Sequence, residues 1–111
     1  MPSLFTKIIN HEIPADIVYE DAHVVAFKDI NPQAPVHVLI VPREEISGLA
    51  SLPEEGAHTR ILNVAKRIAE EFGLDKTGYR LVINQGEDGG QSVPHLHAHL
   101  LGGRRMGWPP G

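Results

Sequence analysis

Three histidines, His95, His97 and His99, fall within five residues and alternate with Leu96 and Ala98. In an extended chain successive side chains point to opposite faces, so the three imidazoles share one face, with neighbours roughly 6.5–7 Å apart. Leu96, Ala98 and Leu100 occupy the other face and belong in a core. A row of imidazoles without chemistry is disfavoured, because each raises the cost of protonating its neighbour with no structural return. Two chemistries remain. Neutral imidazole is a common zinc ligand, and alternate strand positions can supply two of them. Imidazole is also a nucleophile and a reversible proton carrier, so one ring could attack while another handles a proton.

The approach to the row favours the second. Gly86-Glu87-Asp88-Gly89-Gly90-Gln91-Ser92 leads straight into it. Glycines let backbone donors come close to an anion, and Ser92 adds a hydroxyl donor. A catalytic metal site would more often gather a carboxylate with the imidazoles, so neither a metal nor another cofactor is assigned. Asn84 closes the preceding strand and could donate an amide hydrogen bond. His37 heads a separate apolar segment and could bring a fourth imidazole beside the row.

The elements that must position these groups follow from periodicity. Leu4 to Asn10 carries apolar residues in a helical rhythm that Pro14 cannot extend. Ile17 to Glu20, Val24 to Ile30, His37 to Val41, Tyr79 to Asn84 and His95 to Leu101 read as strands. Asn31 to Pro35 is a proline loop. Ser51-Leu52-Pro53-Glu54 has the spacing of a capping box, and Ile61, Leu62, Val64, Ala65, Ile68, Ala69 and Phe72 trace one apolar helical face behind it, with Gly73 as the stop. Five strands, one long helix, a short N-terminal helix and short connections predict an α+β fold built on an antiparallel sheet. A doubly wound parallel sheet would need more crossover helices.

Composition narrows the function classes. A chain of 111 residues suits one domain over residues 1–111. With 41% hydrophobic and 22% charged residues it reads as an ordinary globular protein, and a net charge of −4 argues against general nucleic-acid binding. No apolar run is long enough to cross a bilayer, and Met1 to Phe5 lacks the basic start and apolar stretch of a secretory signal. The absence of cysteine excludes disulfides and thiolate chemistry, which fits a cytoplasmic protein.

His95 to Leu101 fills every position of His-φ-His-φ-His-φ-φ, with φ apolar, and thereby resembles the histidine triad family. Gly89 to Val93, Phe27 to Pro35 and the closing Trp108-Pro109-Pro110-Gly111 make the chain most similar to the Hint branch, the histidine triad nucleotide-binding proteins. The resemblance implies a purine nucleoside phosphoramidase that passes through a nucleotidylated histidine. It implies that His97 attacks the α-phosphorus, that His99 helps protonate the departing amine, and that His95 and His37 orient the nucleophile and its proton relay. Ser92, Asn84 and the backbone of Gly90, Gln91 and Val93 correspond to phosphate-binding elements. Phe5, Ile8, Phe27 and Ile30 correspond to the purine pocket, Asp29 to the ribose carboxylate, and Trp108 to a selector of the leaving group. It further implies a homodimer in which two five-stranded sheets join into ten strands. Two positions differ from close relatives: Pro94 stands where several carry an aromatic residue, and Ala98 is smaller than the usual branched one. Alternative readings are a nucleotide-binding regulatory module, a zinc-dependent hydrolase on the same histidines, and a dinucleoside polyphosphate hydrolase, the last disfavoured by the tail.

Overall fold

The computed structural model describes residues 3–111; Met1 and Pro2, part of the opening stretch read for a targeting signal, lie outside them. The chain forms α1 (Leu4–Ile9), β1 (Ile17–Glu20), β2 (Val24–Lys28), β3 (Val36–Pro42), a 3-10 turn (Leu49–Ser51), α2 (Ala57–Glu71), α3 (Leu74–Thr77), β4 (Tyr79–Val82) and β5 (Ala98–Gly102). The strands make one sheet in the order β1-β2-β3-β5-β4, and every neighbouring pair is antiparallel. The predicted α+β architecture is therefore the one observed. Among the described residues, no helix is long and apolar enough to cross a membrane.

The sheet has two differently furnished faces. Val24 and Ala26 of β2, Val38 and Ile40 of β3, and Ala98 and Leu100 of β5 pack with Ile61, Val64, Ala65, Ile68 and Ala69 of α2. Burying each such branched side chain contributes about 1.5–3 kcal/mol, so this layer supplies most of the sheet's anchorage. The alternate residues, Val25, Phe27, Leu39 and Val41, turn to the opposite face and meet Phe5, Ile8 and Ile9 of α1. α1 is started by Ser3, whose side chain accepts a hydrogen bond from the Thr6 N–H. It shares that face with the histidines, its Phe5 ring packing against those of His95 and His97.

Several boundaries differ from the sequence expectation. The capping box does not form: α2 begins at Ala57 behind Gly56, whose φ is +109°, and no side chain caps it. Ser51 belongs to the 3-10 turn, and Leu52 leaves it in an extended conformation to pack against the α2 core. That burial outweighs a local capping preference of about 1 kcal/mol. Leu62 and Phe72, read as part of the core face, are exposed. Gly73 does stop α2, with φ +74°, and a short unanticipated turn, α3, follows it. Strand β2 stops at Lys28 and β4 at Val82, while β5 starts at Ala98, so His95 and His97 precede the ladder.

Candidate active site

The alternation inferred for the histidine segment survives even though only His99 lies in a strand. Leu96 joins Ala98 and Leu100 in the α2 core. On the other side the rings of His97 and His99 are 5.1 Å apart, and His99 lies 5.2 Å from His37. His37 reaches this group from β3 by register. Leu39 sits opposite His99 and His37 opposite Leu101, so His37 and His99 are diagonal neighbours on one face. His37, His95 and His97 are all buried, and His99 is partly so.

Hydrogen bonds to backbone groups determine where each ring carries its proton, because a carbonyl can only accept and an amide N–H can only donate. His97 Nδ1 lies 2.6 Å from the His95 carbonyl oxygen, so Nδ1 bears the proton and Nε2 keeps its lone pair. The Gln33 N–H donates to His37 Nδ1 at 3.0 Å, so the His37 proton is on Nε2. That proton points to His99 Nδ1 at 2.9 Å, leaving the His99 proton on Nε2. His95 Nε2 donates to the Pro42 carbonyl at 2.9 Å. Three of four tautomers thus rest on main-chain atoms, and the fourth rests on one of those three.

Burial lowers the pKa of His37, with nearby Asp29 opposing. Burial also lowers that of His97, and the bond to the His95 carbonyl partly offsets it. His99 is lowered furthest, to about 4, first by burial and then by the charges His97 and His37 would carry. All three are neutral at pH 7, so the 3.5 Å approach of Asp29 Oδ2 to His37 Nε2 is not an ion pair there. Asp29 Oδ1 accepts from the Asn31 N–H at 2.8 Å and closes the loop after β2.

A cleft of about 280 Å³ opens beside the histidines. Phe5, Ile8, Phe27, Asp29, Ile30, Ser92, Val93, His97 and His99, all singled out from the sequence, line it. Ile30 is fully exposed at its rim, and Phe5 meets the His97 ring edge-on at 4.8 Å. Leu4, Ile13, Pro14, Ala15, Lys28 and Leu39 also line it and were missed. Leu39 was legible as the residue alternating with His37, but the Ile13–Ala15 wall comes from a loop with no local signal. A larger cleft of about 380 Å³ behind the Lys28–Val38 loop includes Asp29 and His37 but none of the triad.

The remaining candidates stand outside the cleft. Gln91 ties the glycine-rich loop together: its Oε1 accepts from the Gly86 N–H, and its Nε2 donates to the Ser47 and Val93 carbonyls. The N–H groups of Gly90 and Gln91 are engaged by Glu87 and Gly86 inside the loop. Among the described residues the N–H groups of Ser92 and Val93 have no partner, and these two residues face the cleft. Asn84 lies half-buried beyond β4 and does not line the cleft. Trp108 is 83% exposed, held at edge strand β4 by Arg80, whose guanidinium stacks over the indole at 5.9 Å and donates to the Gly107 carbonyl.

Asp29, His37 and His99 each offer a ligand atom within 4.8 Å of the others, which invites a metal reading. The tautomers oppose it. The Gln33 N–H occupies the lone pair of His37 Nδ1, so His37 Nε2 carries a proton and has no pair to give. The donor set does not fit a cation while that bond holds.

A family model described as HIT domain matches residues 10–106. The chain is 54% identical to a protein of Zea mays named 14 kDa zinc-binding protein, over 99% of this chain and 88% of the relative. It is 49% identical to Adenylylsulfatase HINT1 of Arabidopsis thaliana, over 99% and 77%. Among solved structures, a HIT family hydrolase from Legionella pneumophila Philadelphia 1 superposes with a TM-score of 0.95 at 48% identity, covering 99% of this chain and all of that one.

Proposed function

The chain belongs to the HIT, or histidine triad, domain family, and from that premise we propose that it hydrolyses purine nucleoside phosphoramidates through a nucleotidyl-histidine intermediate. The observation that carries this reading is the His97 Nδ1 bond to the His95 carbonyl, which leaves a bare Nε2 on a ring that lines the cleft. The names of the Legionella and Arabidopsis relatives support hydrolysis at a nucleotide; P–N cleavage is our choice of reaction.

The steps balance with the groups present. A bound phosphate brings a negative charge beside His99 and raises the pKa that burial depresses; as the His37 Nε2–H turns from His99 to Asp29 Oδ2, 3.5 Å away, His99 Nδ1 is freed and takes up a proton. His97 Nε2 attacks the α-phosphorus, the P–N bond breaks, and protonated His99 gives its Nε2 proton to the departing amine. Water then attacks the phosphorus, neutral His99 accepts its proton, and His97 is released with the nucleoside monophosphate. The Ser92 hydroxyl and the N–H groups of Ser92 and Val93 would hold the non-bridging oxygens, and Asn84, Gly90 and Gln91 would support that loop. Phe5, Ile8, Phe27 and Ile30 would hold the purine, and Asp29 Oδ2 the ribose hydroxyls.

A homodimer is part of the same proposal. β4 is an edge strand with unpaired backbone groups, Tyr79, Leu62 of α2 and Phe72 at its C-terminal cap are exposed, and Trp108 is presented at that edge. Trp108 would then reach the partner's cleft. The net charge supports a small-molecule substrate over nucleic acid, and the lack of cysteine suits a cytoplasmic setting.

The test is incubation with an adenosine 5'-phosphoramidate. Amine release with AMP formation is expected, and His97→Ala should lose more than about 10³-fold in kcat. A nucleotidylated protein trapped with a slow substrate should carry its label on His97. Unchanged turnover in His97→Ala overturns the mechanism, and turnover abolished by a chelator overturns the metal-free reading in favour of a zinc hydrolase.

A further inference from the structure

We propose that Ser3 is a positioning residue for the reaction proposed above, holding His95 in one tautomer so that the His95 carbonyl stays aimed at the nucleophile. The His95 ring is clamped at both nitrogens. Its Nε2 donates to the Pro42 carbonyl, so in the neutral ring Nδ1 has a lone pair and must be donated to. Two hydroxyls are within reach, Ser3 Oγ at 2.8 Å and Thr6 Oγ1 at 3.5 Å. Thr6 has already committed its proton to the Glu45 carboxylate at 2.8 Å. The Ser3 hydroxyl is therefore the donor to His95.

Ser3 does two things with one oxygen. Its lone pair accepts the Thr6 N–H and starts α1, and its proton meets His95. The helix that walls the cleft through Phe5 and Ile8 is thereby tied to the residue whose carbonyl sets the His97 tautomer. His95 is 1% exposed, so a lost donor is not replaced by bulk water at no cost. Thr6 and exposed Glu45 complete the chain by turning the competing hydroxyl away.

Because serine also caps the helix, the variants must separate the two roles. Ser3→Asp keeps a capping oxygen but cannot donate to His95 and favours a proton on its Nδ1. Ser3→Ala loses both functions, and Ser3→Thr keeps both. For Ser3→Asp, kcat on an adenosine phosphoramidate should fall on the order of tenfold or more, with KM and thermal midpoint near wild type, and Ser3→Thr should restore kcat. The second readout needs no turnover. In ¹⁵N spectra of the free protein, His95 should be protonated on Nε2 and bare on Nδ1, and Ser3→Asp should add a proton at Nδ1. A wild-type His95 protonated on Nδ1, or wild-type kcat in Ser3→Asp, overturns the proposal. If wild-type protein releases no amine, the functional reading fails, while the His95 spectra still decide the role of Ser3.

Discussion

His97 donates its Nδ1 proton to the carbonyl oxygen of His95 at 2.6 Å, two residues back along the same chain. The His97 ring, the nucleophile in the proposed reaction, is thus oriented by main chain, which neither titrates nor rotates as a side chain would. A carboxylate in that position would stabilise the imidazolium and draw a proton onto the ring; a carbonyl orients it with far less charge. The ring stays neutral at physiological pH, helped by burial.

The histidine cluster should make stability fall in acid. His37, His97 and His99 have lower pKa values folded than the ordinary 6.5 of an unfolded chain. Between those values the unfolded chain binds more protons, so stability is complete above pH 6.5 and is lost as pH drops from there toward 4. His99, at about 4, contributes roughly 3 kcal/mol at most, less because solvent reaches part of its ring. Thermal midpoints measured from pH 7.5 to 4 should decline, and His99→Asn should flatten the decline. A flat wild-type profile would contradict the burial argument.

Gly89→Ala should loosen the loop that presents Ser92. A Cβ at Gly89 would run into the Gln85 backbone, which cannot give way as a side chain could. Gln85 is itself pinned, its Oε1 accepting from the Ala50 N–H at 2.9 Å. The expected cost is about 1–3 kcal/mol, read by denaturant unfolding. Faster amide exchange should be confined to residues 85–93 and the 47–50 turn. Wild-type stability with unchanged exchange would show that the close approach is unimportant.

Trp108→Ala should change selectivity without changing stability. The indole is 83% exposed, with the Arg80 guanidinium over it, so the melting point should move by less than about 1 °C. If the tail serves a partner's cleft, kcat/KM ratios between bulky and small leaving amines should shift severalfold. Sedimentation should show a dimer for both proteins. A monomer with full wild-type selectivity would remove the tail from the site.

Local spacing determined that the histidines share a face and that Leu96, Ala98 and Leu100 anchor them, because side-chain alternation depends only on an extended backbone. It held at His95 and His97 even without ladder hydrogen bonds, since Leu96 had to be buried. The long amphipathic helix was legible for the same reason, while its start was not: burial of Leu52 overrode the Ser51 capping pattern. What tertiary structure alone decided is where the protons sit on His95 and His99. The His99 tautomer depends on His37 across 62 positions, and that of His95 on Pro42 and on Ser3, 92 positions away. Hydrogen-bond direction is a property of atoms meeting in space, and residues distant in the chain meet only after the sheet and α1 have packed.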